Sequence, residues 1–319
     1  MRLCLTFLTL VVVTGLAAAE PPTKTAKPAA TPSADELYET GKQLFDDYAP
    51  PEIKEQYEFP SREQWDTFAA RLQQSLDKDD LTELAAYEPE ARAALAALRV
   101  LPGYEDYADW LAVRLDYIEA AKQAAKLPAP RPPVIKPGAQ PGRLAADIPY
   151  YDLWLARIRA RSVPMRASEL IPILRQAFAA EGVPPELAWL AEAESTLDPA
   201  ARSPAGAKGL FQLMPVTARA LGLSTFLPDE RADTEKSARA AARYLRTLFG
   251  KFGDWPLAFA AYNAGEGRVR RLLTARSART FAEVSAALPS ETRMYVPKVC
   301  AMIAVRSGLT LENLPPPRG

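Results

Sequence analysis

Between residues 127 and 145 the chain places Pro128, Pro130, Pro132, Pro133, Pro137 and Pro141, a density that neither a helix nor a central strand can absorb. Each of these residues lacks an amide donor, and its ring clashes with the preceding helical turn, so the segment reads as a semi-rigid spacer. A domain boundary is expected there. It divides a smaller helical accessory region, residues 34–126, from a larger unit, residues 146–319. A chain of 319 residues exceeds what one hydrophobic core usually serves, which fits two folded units.

On both sides of the spacer the apolar residues recur at three- and four-residue steps, and sustained period-two alternation is missing, so the fold class is mainly α. In the first region Tyr104, Tyr107, Leu111, Leu115 and Ile118 form a stripe expected to face a core, and Ser61 precedes Gln64 in capping-box spacing. Nothing in residues 34–126 assigns them a chemistry. In the second region Pro184 and Pro185 open a helix that Pro199 closes, and Pro215 opens another that stops at Gly222. Asp233 or Thr234 caps a longer helix with an apolar face of Ala238, Ala241, Ala242, Leu245, Leu248 and Phe249, expected to end at Gly250.

The N-terminus has the form of a secretory signal, residues 1–19: Arg2, an apolar stretch from Leu3 to Leu16, then three alanines. That stretch is shorter than the roughly 20 residues needed to span a bilayer, so cleavage and export to the periplasm are expected. Cys4 precedes the apolar stretch and cannot be a lipid-attachment cysteine. Residues 20–33, rich in Pro, Thr, Ala and Lys, read as a disordered tether.

Composition then removes whole classes of chemistry. The chain contains no histidine, which excludes Ser-His-Asp and Cys-His nucleophile systems and histidine-bearing zinc sites. Lys+Arg and Asp+Glu both total 39, so there is no basic excess to drive binding to nucleic acid. Cys300 lies in an apolar run and is expected to be a small core residue.

One carboxylate breaks the helical pattern. In the helix that starts near Pro185, Leu187, Leu190, Ala191 and Glu194 share a face, so an acid stands where an apolar residue should. Packed among apolar side chains, a carboxyl group holds its proton to higher pH, as a general acid requires. The alternative is a Glu194 that swings out to solvent or pairs with an arginine. Glu192 falls on the opposite face and is expected to be solvated, and Asp198 reads as a helix-terminating turn residue. Further along, the small residues of Ala205 to Gln212 would let backbone approach backbone or ligand closely, and their spacing matches no phosphate-binding motif. An alanine-rich helix then ends in Tyr262 and Asn263.

These stretches occur in an order that resembles the soluble-lytic-transglycosylase domain of bacterial murein transglycosylases. They are Glu194-Ser195 with Leu197-Asp198-Pro199, then residues 205–215, residues 260–265 and residues 291–297. Asp229 to Asp233 and Gly265 to Val269 are most similar to the membrane-bound D-type subgroup. The resemblance covers about 150–307. It implies a lysozyme-like, mostly helical domain over residues 146–319, with a cleft for glycan strands of alternating N-acetylglucosamine and N-acetylmuramic acid. Glu194 matches the family's acid/base, and Ser195 matches the neighbour that positions it. Ser203, Gln212 and Met214 match cleft residues that contact the sugar. Tyr262, Asn263 and Tyr295 match residues that line the site and bond the acid or the substrate. Phe211 departs from the Met or Trp common at its position.

The family chemistry implied is cleavage with one carboxylate, without metal or organic cofactor, leaving a 1,6-anhydro end on N-acetylmuramic acid. The expected partner is peptidoglycan, for a monomer held at the periphery of the outer membrane. Two alternatives stand beside it. One is a hydrolysing muramidase that uses a second acid such as Glu291, and the other is a non-catalytic peptidoglycan-binding protein.

Overall fold

The computed structural model describes residues 62–100, 105–128 and 148–318. The signal sequence, the tether, Ser61, Tyr104 and most of the Pro-rich segment lie outside the described residues. Among the described residues every regular element is a helix, apart from two isolated bridges that pair Lys208 with Arg202 and Leu213. The mainly α class read from the sequence is therefore the class the structure has.

Among the described residues, four helices precede the Pro-rich segment: α1 (Arg62–Asp77), α2 (Leu81–Ala86), α3 (Glu88–Val100) and α4 (Glu105–Ala124). Asp80 caps α2 by accepting from the Thr82 and Glu83 amides, and Glu105 and Asp106 place negative charge at the positive end of α4. Leu111, Leu115 and Ile118 of the expected stripe are buried, whereas Tyr107, in the first turn of α4, stays exposed.

After the segment come α5 (Tyr151–Arg159) and α6 (Ala167–Ala180), then a 3-10 stretch, Pro185–Trp189, running into α7 (Leu190–Ser195). The helix expected near Pro185 is thus tighter in its first half, yet Leu187, Leu190 and Ala191 still point inward and are fully buried. Next are α8 (Pro215–Ala220), α9 (Thr234–Phe252), α10 (Trp255–Ala264), α11 (Glu266–Arg276), α12 (Phe281–Ser285) and α13 (Ser290–Ser307). Asp233 is the cap of α9, its carboxylate accepting from the Lys236 amide at 2.8 Å.

One boundary differs from expectation. Helix α9 does not stop at Gly250 but runs to Phe252, with Gly253 left-handed at its end. A helical glycine costs about 1 kcal/mol against alanine, less than is gained by keeping Phe249 and Phe252 against the core, where Phe249 meets Trp255 at 4.5 Å between ring centroids.

Helix α13 is the axis of the molecule. Twelve of its residues are buried, from Ser290 to Ile303, and a helix apolar over so much of its surface must be covered on most sides. It packs against α5, α10, α7 and α4. The accessory helices meet it directly: Ser290 donates its amide to the Lys78 carbonyl, and Arg293 reaches the Asp79 carbonyl. Cys300 is buried within α13 as expected, and burial pushes its thiol well up.

Candidate active site

The short helix α7 is shaped to hold one side chain in place. Leu187 and Leu190 are fully buried, each contributing about 2 kcal/mol relative to exposure, and they fix the helix against the core. Its C-terminus is closed abruptly: Thr196 and Leu197 both adopt left-handed backbone, at φ 55° and 62°. For residues with a β-carbon that conformation costs about 1 kcal/mol each. It is held by Thr196 and Leu197 amides donating to the Glu192 and Ala191 carbonyls, and by burial of the Leu197 side chain.

Glu194, just before this turn, is half-buried. The Tyr295 hydroxyl of α13 donates to Glu194 Oε1 at 2.5 Å. Burial pushes the Glu194 carboxyl from 4.5 up to about 7, while Tyr295, Arg114 and Lys298 pull it down and Glu291 pushes it further up. The phenols of Tyr295 and Tyr262 are raised well above their usual value by burial, so both remain protonated donors. A carboxyl poised near neutrality, reachable from solvent and gripped by a neutral donor can give up a proton and take one back.

Ser195 turns the other way. Its buried hydroxyl donates to the Ala191 and Leu210 carbonyls and accepts from the Asp198 amide, tying α7 to the loop that follows. From the far side the Tyr262 hydroxyl donates to the Phe211 carbonyl at 2.8 Å. Neighbouring carbonyls of one loop are thus held from α7 and α10. The Asn263 side chain accepts from the Thr292 hydroxyl at 2.7 Å, joining the end of α10 to α13.

Among the remaining residues singled out in the sequence, Ser203 and Gln212 brace the loop itself. Ser203 accepts from the Ala207 amide, and the Gln212 amide nitrogen donates to the Ala201 and Gly209 carbonyls. Met214 stands 42% exposed at the start of α8. The loop is fixed by a close approach of backbone to backbone, because a β-carbon on Gly209 (φ +81°) would lie 1.9 Å from the Arg231 carbonyl oxygen. Gly209→Ala should therefore cost about 3 kcal/mol or more, from left-handed strain plus overpacking. Urea denaturation of the full chain reads this, and a loss under 1 kcal/mol would mean the loop relaxes freely.

Glu192 departs from expectation. It is buried, and Arg306 of α13 holds it in a fork at 2.7 and 2.9 Å. The opposite face of a short helix is solvated only if nothing packs there, and here α13 does. Asp198 behaves as a turn residue, its carboxylate accepting from the Ala200 amide.

The sequence alone gives no role to the residues that α4 brings to this place. Arg114 donates to Glu291 at 3.2 Å, and Lys298 stands 4.6 Å over the Tyr117 ring. Lys298 also pairs with Asp116 at 3.2 Å. The signal was a spacing: Glu291, Tyr295 and Lys298 follow one another at four and three residues, one face of a helix.

Residues 172–284 match the Transglycosylase SLT domain family. The chain is 43% identical over 124 residues to the membrane-bound lytic murein transglycosylase D of Escherichia coli strain K12, an alignment covering 38% of this chain and 27% of that protein. It is 38% identical over 120 residues to the soluble lytic murein transglycosylase of Salmonella typhimurium, covering 35% of this chain and 19% of that one. The chain therefore spans about a quarter or less of the length of these relatives. Among solved structures it is similar to the lytic transglycosylase Slt of Pseudomonas aeruginosa, with a TM-score of 0.40 at 22% identity, covering 74% of this chain and 53% of that one.

Proposed function

We propose that this chain, whose residues 172–284 carry a transglycosylase SLT domain, is a peptidoglycan lytic transglycosylase of the D-type that uses Glu194 first as acid and then as base. The observation that carries the reading is the Glu194 carboxyl itself, raised to about 7 by burial and bonded by Tyr295.

In this reading a glycan strand lies over α7 in a lysozyme-like cleft. Glu194 gives its proton to the β-1,4 oxygen as the bond from N-acetylmuramic acid C1 to that oxygen breaks. The acetamide oxygen of the same sugar stabilises the electron-poor carbon. The C6 hydroxyl then attacks C1, and its proton returns to Glu194, so the ring closes to the 1,6-anhydro form and no water is consumed. Ser195 holds the turn that presents the acid. Ser203, Gln212 and Met214 contact the sugars, and Tyr262 and Asn263 line the site. The two-carboxylate hydrolysis used by most glycosidases requires a free second acid, and the Glu291 carboxylate is instead engaged by Arg114.

Export to the periplasm, an accessory region at residues 34–126 whose helices α1 and α4 pack on α13 and attachment at the outer-membrane periphery belong to the same proposal. Mass spectrometry of digested sacculi tests the chemistry. Anhydro ends support it, and reducing ends, heavier by one water, would replace it with hydrolysis.

Tyr295→Phe isolates one step. Without the hydroxyl, Glu194 loses a donor that favours its ionised form, so turnover should fall about 10- to 100-fold while the folded state survives. Kinetics on soluble glycan strands beside a thermal melt check this; equal turnover would return Tyr295 to a packing role.

A further inference from the structure

Two helix faces with the same spacing meet beside Glu194. Helix α4 offers Trp110, Arg114 and Tyr117, and α13 offers Glu291, Tyr295 and Lys298. Arg114 lies 5.2 Å over the Trp110 ring, donates to Glu291 at 3.2 Å, and its side chain is only 17% exposed. Its Nε is buried without a partner, so the guanidinium is not fully satisfied by the ion pair. The groups acting on Glu194 are Tyr295, Glu291 and Lys298 from α13 and Arg114 from α4, with the phenols of Tyr117 and Tyr262 close enough to feel its charge.

A purely structural ion pair would need neither this proximity nor this sign pattern. A cation alone beside Glu194 would make it ionise too readily to act as an acid at neutral pH. An anion alone would hold the proton too tightly and penalise the carboxylate formed after transfer. The clamped pair balances the two.

We propose that Arg114, on α4 and outside the segment matched to the family, is a positioning residue for the reaction, supplying the fixed positive charge that receives the anion left on Glu194 once its proton has gone to the glycosidic oxygen. This rests on the catalytic reading of Glu194 given above. Residues 105–124 are then a wall of the active site.

The test is the pH dependence of kcat on soluble glycan strands for the full chain and four variants. Arg114→Gln should move the alkaline limb up by about one pH unit, a tenfold change in proton affinity. It should also lower the plateau about tenfold, with KM within about twofold. Glu291→Gln should move the limb the opposite way. The double variant should bring the limb back towards the wild-type position, which excludes misfolding as the cause of the single shifts. Arg114→Lys should recover most of the lost rate. Limbs that stay in place in both single variants, with activity following thermal stability alone, would overturn the proposal. Glu194→Gln, run in parallel, separates the two claims: if it keeps activity, the reading of Glu194 fails. If it is inactive and Arg114→Gln leaves the limb in place, only the role of Arg114 fails.

Discussion

Glu194→Gln is expected to lose about a thousandfold or more in cleavage of purified sacculi, the upper range of what a positioned acid contributes, and to become more stable than the native chain in alkaline solution. Both effects come from one cause. The Glu194 carboxyl titrates near 7 in the folded protein because burial disfavours its charge, against 4.5 for an exposed group. Below pH 4.5 the folded and unfolded chains both carry the proton, and Glu194 costs nothing. As pH rises from 4.5 to 7 the unfolded chain releases its proton while the folded chain retains it, so stability falls. Above 7 the folded state must hold a buried anion, at a cost of about 3 kcal/mol. Glutamine is neutral throughout. Urea denaturation at pH 8 should therefore favour the variant by up to about 3 kcal/mol, and at pH 4 the two chains should coincide. An activity loss with no alkaline gain would mean that the acid is not desolvated; an alkaline gain with retained cleavage would remove Glu194 from the chemistry.

How much of this was legible beforehand depends on the range over which each feature is encoded. Glu194 was visible because it interrupts a local period: an acid at the offset of Leu187, Leu190 and Ala191 is anomalous within eight residues of sequence. The cap at Asp233 and the starts at Pro185 and Pro215 are equally local. The end of α9 was misplaced because Gly250 is a local signal, whereas Phe252 is held in the helix by tertiary burial that no short window contains. Glu192 failed for the same reason, since its partner Arg306 is 114 residues away. Arg114 and Asp116 were out of reach because their partners, Glu291 and Lys298 on α13 and Arg157 and Arg161 on or just past α5, all lie beyond the Pro-rich segment, and a charged residue on an amphipathic helix ordinarily reads as solvated. The Gly209 contact shows the intermediate case. Small residues announced a close approach, but only the fold shows that the approaching group is the Arg231 carbonyl.

The second large effect is expected at Asp116, and it concerns folding. Its carboxylate on α4 receives Arg157 of α5 at 2.7 Å and Arg161 just past the end of that helix, together with Lys298 of α13 at 3.2 Å, and its side chain is 11% exposed. Burial alone would push this carboxyl up, yet the Lys298 charge and the two guanidinium groups hold it far below the usual range. Its contribution to stability is therefore present at neutral pH and begins to be lost below about pH 4, the unfolded value. Asp116→Asn leaves three cations near one another, of which Arg157 keeps Glu119 at 3.0 Å, while Lys298, whose ammonium is already destabilised by burial, has its strongest counter-charge removed. Removing one member of a buried ionic cluster costs about 3 to 5 kcal/mol, here chiefly because Lys298 stays desolvated without its counter-charge. Adding Lys298→Met should return part of that loss, since one stranded cation becomes an apolar side chain over the Tyr117 and Trp154 rings. Denaturation at pH 7 should show a deep loss for the single variant and a shallower one for the pair, with the difference between native and Asp116→Asn chains narrowing in acid. If Asp116→Asn stays within 1 kcal/mol of the native chain, the cluster is solvated and adds little to the joining of α4 to α13. If the double variant is as unstable as the sum of its parts, Lys298 and Asp116 act independently despite their contact.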